Sequence, residues 1–188
     1  KEIIPTENDL ASLTKTEKAA IDKKLFSLAD LKLSKLLIEK EKVEKREVAP
    51  ITFFVKKGRF SKSKEYGAGI FILDKKNIAC MRFFSNSTNI EEGKSNIMNL
   101  YSRKIIRDFD KYVVEKLTGN FCQNLPDQEV TVYKLKCFIA GNLRYLSVVV
   151  VEMEKVNYFV VFYNRSRPNS KMGDVLALFF DTVEKREI

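Results

Sequence analysis

Histidine and tryptophan are both absent from the 188 residues of this chain. Without imidazole there is no Ser-His-Asp or Cys-His nucleophile, no histidine metal ligand and none of the commonest general base. Carboxylates alone can catalyse some reactions. However, the aspartates and glutamates fall mostly in lysine-rich polar stretches, and no two of them are embedded in apolar sequence as a glycosidase pair would be. We therefore predict a protein that is not an enzyme, carries no cofactor and binds no metal.

Cysteine is scarce, and the three present, Cys80, Cys122 and Cys137, form no C-x-x-C pair. Their odd number leaves at least one thiol unpaired within the chain, so a disulfide framework is not indicated, although one bridge is compatible with the count. The apolar neighbours of Cys80 and Cys137 predict buried, inert thiols at both positions.

Long hydrophobic runs are also missing, because no stretch approaches the roughly 18 apolar residues that a membrane-spanning helix requires. The sequence starts at Lys1 rather than at methionine. A removed signal sequence, an upstream lipid-anchored cysteine or simple trimming would each explain that start. The residues themselves favour none of these explanations.

What the chain has in excess is positive charge, with 34 Lys and Arg against 25 Asp and Glu and a formal net charge of +9. Most of this charge is spread along the sequence. A spread positive charge favours solubility and weak attraction to polyanions, and says little about fold.

One local concentration of basic side chains is FFVKKGRFSKSK at residues 53–64. Phe53 and Phe54 fall on opposite faces of a predicted strand, which leaves Phe60 as the one ring among the cations. We favour a solvated loop between two strands, with polyanion contact, to nucleic acid or anionic lipid, as the alternative. The candidate binding residues of this loop and of a second basic loop are Lys56, Lys57, Arg59, Phe60, Lys62, Lys64, Arg165, Arg167 and Lys171.

The first quarter of the chain predicts helix. Residues 1–13 are mixed and polar, as in a tether, and the TKTE that follows is a capping-box pattern in which Thr14 accepts from a backbone N–H and Glu17 reaches back. Residues rich in Lys, Leu, Glu and Ala continue to about Glu47. The stretch then ends before Pro50, because proline disfavours helix at the preceding residue.

After Pro50 the pattern changes period. Short β-branched and aromatic stretches, ITFFVKK, YGAGIFILD and NIACMRFFS, predict three strands. Apolar residues at spacings of three and four then predict a helix over about residues 91–117, which Gly119 ends.

The last third predicts an antiparallel meander over residues 129–164. In EVTVYKLKCFIA, Tyr133, Leu135, Cys137 and Ile139 fall on one side, and Lys134 and Lys136 on the other. Gly141-Asn142 has the composition of a two-residue hairpin turn. The next strands are apolar on both faces at their centres, so both faces must be covered. An amphipathic helix from about Lys171 is available to cover one of them.

Together these elements predict an α+β fold with an antiparallel sheet of about six strands, in the order β-β-β-α-β-β-β-α, flanked by helices. The domain prediction is a tether and amphipathic helical arm at residues 1–48, followed by a single α+β sandwich domain at residues 49–188.

A fragment of a phosphate-binding motif occurs in EEGKSN, where Gly93-Lys94-Ser95 lies between a predicted strand and a predicted helix. The full motif needs a glycine five residues before Gly93, where Thr88 stands. The two preceding glutamates would repel phosphate, and the surrounding strands are expected to be antiparallel rather than part of a βαβ unit. A nucleotide-binding enzyme at residues 88–95 is therefore the second alternative function, behind polyanion binding.

The element order from residue 50 to the end, notably YFVVFYNRSRPNSKMGDVLALFFDTVE, resembles the superfamily that contains PsbP, DcrB and the Ran-binding nuclear-import release factor. The resemblance rests on element order and assigns no functional residue. It implies a non-catalytic domain that binds a partner in a larger assembly. Our leading prediction is therefore a binding or assembly domain that recognises a protein partner. With this resemblance we expect a bacterial cell-envelope location, periplasmic or lipid-anchored after removal of an upstream signal, in preference to the cytoplasm.

Overall fold

The computed structural model describes residues 6–48, 50–60, 64–66, 69–73, 79–86, 90–102, 108–139, 141–153, 156–164 and 173–186. These residues form five α-helices, one 3-10 helix at Phe109–Tyr112 and ten strands. The helices are α1 (Glu7–Ala11), α2 (Lys15–Asp22), α3 (Leu28–Glu39), α4 (Ile90–Ser102) and α5 (Gly173–Thr182). The strands are β1 (Val43–Val48), β2 (Ile51–Lys56), β3 (Lys64–Tyr66), β4 (Gly69–Leu73), β5 (Ala79–Asn86), β6 (Val113–Gly119), β7 (Val130–Ile139), β8 (Asn142–Met153), β9 (Val156–Asn164) and β10 (Glu184–Lys185).

The chain divides into two compact units that interleave along the sequence. Unit 1 comprises Lys1–Phe60, Gly119–Glu129 and Lys171–Ile188, and unit 2 comprises Ser61–Thr118 and Val130–Ser170. The predicted division into residues 1–48 and 49–188 stays a prediction, because compactness alone does not establish which segments fold independently.

Unit 1 combines helices with a three-stranded sheet of order β1-β2-β10, in which both neighbours of β2 are antiparallel to it. Helix α5 packs against both α3 and β2, which explains why it is apolar on nearly all sides. Its Phe179 ring lies 5.3 Å from that of Phe53, and its Phe180 ring lies 6.1 Å from Phe26 and 6.0 Å from Phe121. These rings form the centre of the unit 1 core.

Side-chain caps begin helices α1, α2 and α3 of unit 1. The Thr14 hydroxyl accepts from the Glu17 N–H at 3.2 Å, as predicted, but the Glu17 carboxylate contacts Lys35 rather than reaching back to Thr14. At α3, Ser27 and Asp30 form a reciprocal capping box, which satisfies backbone donors that a helix start would otherwise leave unpaired. The predicted polar tether contains a short helix of its own, α1. None of the helices in the described part of the chain is long and apolar enough to cross a membrane.

The predicted helical arm ends earlier than expected. Helix α3 stops at Glu39, Glu41 has a φ of +55°, and residues 43–48 form strand β1 rather than further helix. All six residues of β1 pair with β2. The charges of VEKREV permit either conformation, so tertiary pairing overrides the helix propensity.

Unit 2 is built on a seven-stranded sheet of order β3-β4-β5-β9-β8-β7-β6. The pairs β3-β4, β4-β5, β5-β9, β7-β8 and β8-β9 are antiparallel. This confirms the α+β class, the antiparallel sheet and the predicted meander. Helix α4 packs on β5 and β7, and the core between helix and sheet is formed by Ile97, Met98, Phe109, Tyr133, Leu135, Cys137, Leu146, Val148, Val150, Phe159 and Val161.

Two local predictions in unit 2 were wrong. Helix α4 ends at Ser102 rather than near residue 117, and β6 occupies residues 113–119. In β6 the odd-numbered residues are buried or half-buried, so a period of two prevails over the apparent helical spacing. Ile139 pairs with Asn142, which moves the hairpin turn one residue towards the N-terminus, with Gly141 at a φ of +78°. Among the described residues, the sheet of unit 2 has seven strands where about six were predicted.

Candidate functional site

The basic turn, which we define as residues 56–60, connects directly to β2. Lys56 and Lys57 are exposed. Gly58 has a φ of +76°, in the left-handed region that glycine tolerates. The Gly58 N–H donates to a carboxylate oxygen of Glu44 at 2.7 Å, so the turn is held against β1.

The arginine and the phenylalanine of the basic turn are engaged within unit 1. Arg59 forms an ion pair with Asp174 at the start of α5 and lies 5.6 Å from the centre of the Phe60 ring. Phe60 is 2% exposed, and its carbonyl accepts from the Arg46 guanidinium at 3.0 Å. A ring buried to this extent cannot stack on a base, so the turn offers a polyanion two lysines and no aromatic platform.

The other predicted site residues lie outside the description. Lys64 begins β3, where the backbone alone is described, and Lys62, Arg165, Arg167 and Lys171 fall outside the described residues. Whether they join the basic turn in one surface stays untested.

Gly93 and Lys94 of the phosphate-motif fragment lie within helix α4, rather than in a loop before it. A Cβ at Gly93 would overlap the Phe159 ring, so this glycine permits the close packing of helix on sheet. The Lys94 ammonium lies 3.2 Å from carboxylate oxygens of both Glu91 and Asp110. It also lies 5.5 Å and 5.0 Å from the ring centres of Phe109 and Tyr133.

Burial lowers the pKa of Lys94, but the hydrogen bonds from its ammonium to Asp110 and Glu91 outweigh that effect and raise the pKa above the ordinary value. The side chain is therefore charged at neutral pH and engaged with protein carboxylates. Packing and ion pairing account for both Gly93 and Lys94, and the fragment supplies no positive support for a nucleotide site.

Unit 1 holds two inward-facing carboxylates that sequence reasoning missed. Glu17 of α2 is 2% exposed, and its carboxylate lies 2.7 Å from the Lys35 ammonium. The Ser34 hydroxyl donates to Asp181 of α5 at 2.7 Å. Burial raises the pKa of Asp181 to about 6, and nearby Glu17 adds to the increase, while Ser34 and Lys35 oppose it. These polar groups connect helices α2, α3 and α5. Their spacing in the sequence gives no pattern from which the contacts could have been predicted.

The thiols that the structure describes, those of Cys122 and Cys137, are free and buried. Burial raises the pKa of Cys122 to about 12 and that of Cys137 to about 11. Both are therefore neutral at physiological pH and poor nucleophiles, because the thiolate is the reactive form. The predicted burial of Cys137 is confirmed, and the side chain of Cys80 lies outside the description.

The most exposed large apolar side chain in the described residues is Phe138 of β7, at 68%. We call the surface around it the β7–β8 patch, defined as Lys134, Lys136, Phe138, Leu143 and Tyr145. Strand pairing sets its geometry, because Phe138 lies opposite Leu143 and Lys136 lies opposite Tyr145. Side chains directly opposite in an antiparallel pair share a face.

The two faces of β7 differ from Lys134 onwards, whereas Val130 and Val132, earlier on the patch face, are buried. On the face that packs on α4, Tyr133, Leu135 and Cys137 are buried, as predicted. On the face of the patch, Lys136 is exposed, Lys134 and Leu143 are half-buried, and Tyr145 is 36% exposed. Sequence reasoning assigned the two lysines to this face but overlooked Phe138. The signal was present, since Phe138 is two residues beyond Lys136 and alternation places both on one side.

The electrostatics of the patch are those of a cation beside aromatic surface. The Lys136 ammonium lies 6.0 Å from the centre of the Tyr145 ring, at the outer limit of a cation–π contact. Burial lowers the pKa of Lys134, which the charge of Glu115 partly opposes. The patch therefore presents an exposed ring, a partly exposed second ring and at least one exposed positive charge.

Neither a family model nor a curated protein matches this chain. Among solved structures, the chain is similar to the solution structure of cyanobacterial PsbP (CyanoP) from Synechocystis sp. PCC 6803, with a TM-score of 0.53 and 5% identity, covering 77% of this chain and 92% of that one. A crystal structure from Bacteroides thetaiotaomicron VPI-5482 gives a TM-score of 0.49 and 10% identity over 78% of this chain and 49% of that chain. The resemblance suggested by element order is thereby confirmed at the level of architecture: the chain has a PsbP-like fold.

Proposed function

We propose that this chain is a non-catalytic binding domain that recognises a protein partner through the β7–β8 patch, as part of an assembly in a bacterial cell envelope. The observation that carries the proposal is the exposure of Phe138, at 68%. Phenylalanine gains free energy when its surface leaves water. A ring held on a rigid strand can supply that gain on binding with little loss of conformational entropy.

The surroundings of Phe138 fit a protein interface. Aromatic residues are enriched at interface centres, and the few residues that dominate affinity cluster there, ringed by contacts that exclude water. Leu143 lies opposite Phe138, and Tyr145 lies two residues further along β8. Lys136 lies opposite Tyr145 and is exposed. This composition provides an apolar centre with a charged margin.

The cell-envelope location rests on the resemblance to the PsbP and DcrB superfamily. It is tested together with the partner, because a partner recovered from the membrane fraction and not from the cytosol supports both statements.

The test uses the tagged full chain and two variants on an extract of the native envelope in mild detergent. Phe138→Ser removes the ring, and Leu36→Ser is the matched control, because Leu36 is a 44% exposed apolar residue on α3 of unit 1. We expect one identified protein to be recovered by the unchanged chain and by Leu36→Ser, and its recovery by Phe138→Ser to fall about tenfold, as for loss of a central interface residue.

Recovery of the same proteins by all three chains would contradict the proposal. So would turnover of a substrate by the purified chain, since the proposal assigns it no chemistry. Polyanion binding through the basic turn stays a prediction, supported now by Lys56 and Lys57 alone among the described candidates.

A further inference from the structure

We infer that the β7–β8 patch binds an extended acidic segment of the partner, in which a carboxylate at one position is followed, two residues later, by an aromatic or large apolar side chain. This inference rests on the proposed function and specifies the partner of the same site. It is carried by three features of the patch: its spacing, its charge and its position on the face of a sheet.

The first feature is spacing. Lys136 and Phe138 are alternate residues of one strand, so their side chains leave the same face about 6.6 Å apart. An extended peptide places its own alternate side chains at the same interval. A segment lying along β7 can therefore set a carboxylate against Lys136 and a ring against Phe138 in register.

The second feature is charge. Lys136 is exposed and lies beside the Tyr145 ring, and the chain as a whole carries a net charge of +9. A carboxylate that meets Lys136 in this partly apolar surrounding interacts more strongly than it would in open water. The long-range positive field also speeds the approach of an acidic partner.

Charge also argues against a second copy of this chain as the occupant. A symmetric dimer places the same patch on both sides of the contact. Two chains of +9 would then approach through faces that each carry lysine, and like charges across an interface are unfavourable.

The third feature is the position of the patch on the face of a sheet, which favours an extended peptide over nucleic acid. Single strands bind in positively charged grooves that follow many phosphates. Here the patch lies on the face of a sheet, and Glu115 faces Lys134 closely enough to influence its pKa. The Glu115 carboxylate would repel the successive phosphates of a nucleic acid that followed the strand. A peptide avoids this repulsion, because its carboxylate can lie at Lys136, away from Glu115.

The test measures binding of short fluorescein-labelled peptides to the full chain by anisotropy at low salt. The probe has the core Ser-Ser-Glu-Ser-Phe, and the two control peptides have Ser-Ser-Lys-Ser-Phe and Ser-Ser-Glu-Ser-Ser. We expect the probe to bind about tenfold more tightly than either control. Added salt should weaken binding of the probe, because the contact with Lys136 is exposed to solvent.

Variants of the chain assign the binding to the patch. Phe138→Ser should weaken the probe about tenfold, and Lys136→Glu should reverse the preference, so that the lysine peptide binds more tightly than the glutamate peptide. Lys136→Arg should bind like the unchanged chain, as should the control Leu36→Ser. Each variant is compared at equal folded fraction, which circular dichroism establishes.

Several results would overturn the inference. These are equal binding of all three peptides, no change with Lys136→Glu, or Phe138-dependent binding to a single-stranded oligonucleotide or to phosphatidylglycerol vesicles in place of the probe. Concentration-dependent dimerisation that Phe138→Ser abolishes would assign the patch to a second copy instead. If the peptides fail while Phe138-dependent capture of the native partner persists, the inference falls and the proposed function stands. If both fail, both fall.

Discussion

In the basic turn, an arginine and a phenylalanine stand side by side, and both are engaged within unit 1. Arg59 pairs with Asp174, and Phe60 is 2% exposed. In the β7–β8 patch, a lysine and a phenylalanine stand two residues apart, and both face outward. Lys136 is exposed, and Phe138 is 68% exposed.

The difference teaches that mixing cations with rings does not by itself make a binding surface. Arg59 and Phe60 lie in the turn that follows β2. Asp174 of α5 pairs with Arg59, and Arg46 of β1 donates to the Phe60 carbonyl, so residues distant in sequence engage both. Lys136 and Phe138 remain within a strand whose other face is already committed to the core. Alternation then sends both to the opposite face, which is exposed at this end of the strand although Val130 and Val132 are buried further along it. The basic turn, whose composition is the more unusual, therefore exposes less of its arginine and phenylalanine to a partner than the β7–β8 patch exposes of its lysine and phenylalanine.

The largest expected difference between the two regions is in stability. Phe60→Ala should lower the free energy of unfolding by about 3 to 5 kcal/mol, because it empties a buried site. Phe138→Ala should change it by less than about 0.5 kcal/mol, because the ring is in solvent. Urea unfolding of both variants measures the two values. Similar losses from both would break the comparison.

Unit 1, which contains the basic turn, also contains a carboxyl whose ionisation is affected by burial, that of Asp181. Its pKa is about 6 in the folded chain against an ordinary value of 3.8, so the folded state favours the protonated acid. The stability that this group contributes is fully present below pH 3.8 and is lost as pH rises through 6. Asparagine cannot ionise and can still accept from Ser34. Asp181→Asn should therefore be more stable than the unchanged chain at pH 8, by about 2 kcal/mol.

Thermal or urea unfolding at pH 8 and at pH 4 checks this prediction, and the advantage should vanish at the lower pH. The matched control is Asp174→Asn, which removes the partner of Arg59 and should bring no gain at pH 8. An advantage of Asp181→Asn that is independent of pH would contradict the assignment of the effect to ionisation.

A smaller difference is expected between two lysines of unit 2. Lys94 is 7% exposed and contacts two carboxylates and two rings, whereas Lys136 is exposed beside one ring. Lys94→Met should destabilise by about 1 to 2 kcal/mol, since the loss of charge-assisted contacts is offset in part by burial of the apolar replacement. Lys136→Met should stay within about 0.5 kcal/mol. Equal unfolding midpoints for the two variants would go against this contrast.

The smallest effect on stability is expected at the exposed lysines of the basic turn. The double variant Lys56→Ser, Lys57→Ser should unfold within about 0.5 kcal/mol of the unchanged chain. The same variant tests the polyanion alternative through binding to a single-stranded oligonucleotide over a range of salt. If that alternative holds, binding weakens and its dependence on salt becomes shallower. Unchanged binding would remove the alternative.

Much of the fold could be predicted where the sequence pattern is local. The alternation of EVTVYKLKCFIA correctly separated Tyr133, Leu135 and Cys137 from Lys134 and Lys136, and the meander followed from it. The Thr14 cap was also predictable, because its donor lies three residues away. The helix continuing towards residue 117 was wrong because β6 forms only when β7 lies beside it.

The site was harder to predict because its members meet through the fold. Whether Phe60 is covered depends on Arg46 and on the approach of α5, which brings Asp174. The environment of Asp181 depends on Glu17 and Ser34, near the other end of the chain. Phe138 is the exception. It lies two residues after Lys136 in the same strand, and strand alternation is sufficient to place both side chains on the same face.

The interleaving of the two units sets the order in which they can be completed during synthesis. The last segment of unit 2 ends at Ser170, and α5 of unit 1 follows at Gly173–Thr182. A nascent chain therefore contains all of unit 2 while α3 and β2, made before it, still lack α5, the helix that packs against both. At about 5 to 20 residues per second, these two elements wait for roughly 6 to 30 seconds with apolar surface open to chaperones or to neighbouring chains. They are thus translated before unit 2 but belong to the unit that is completed after it.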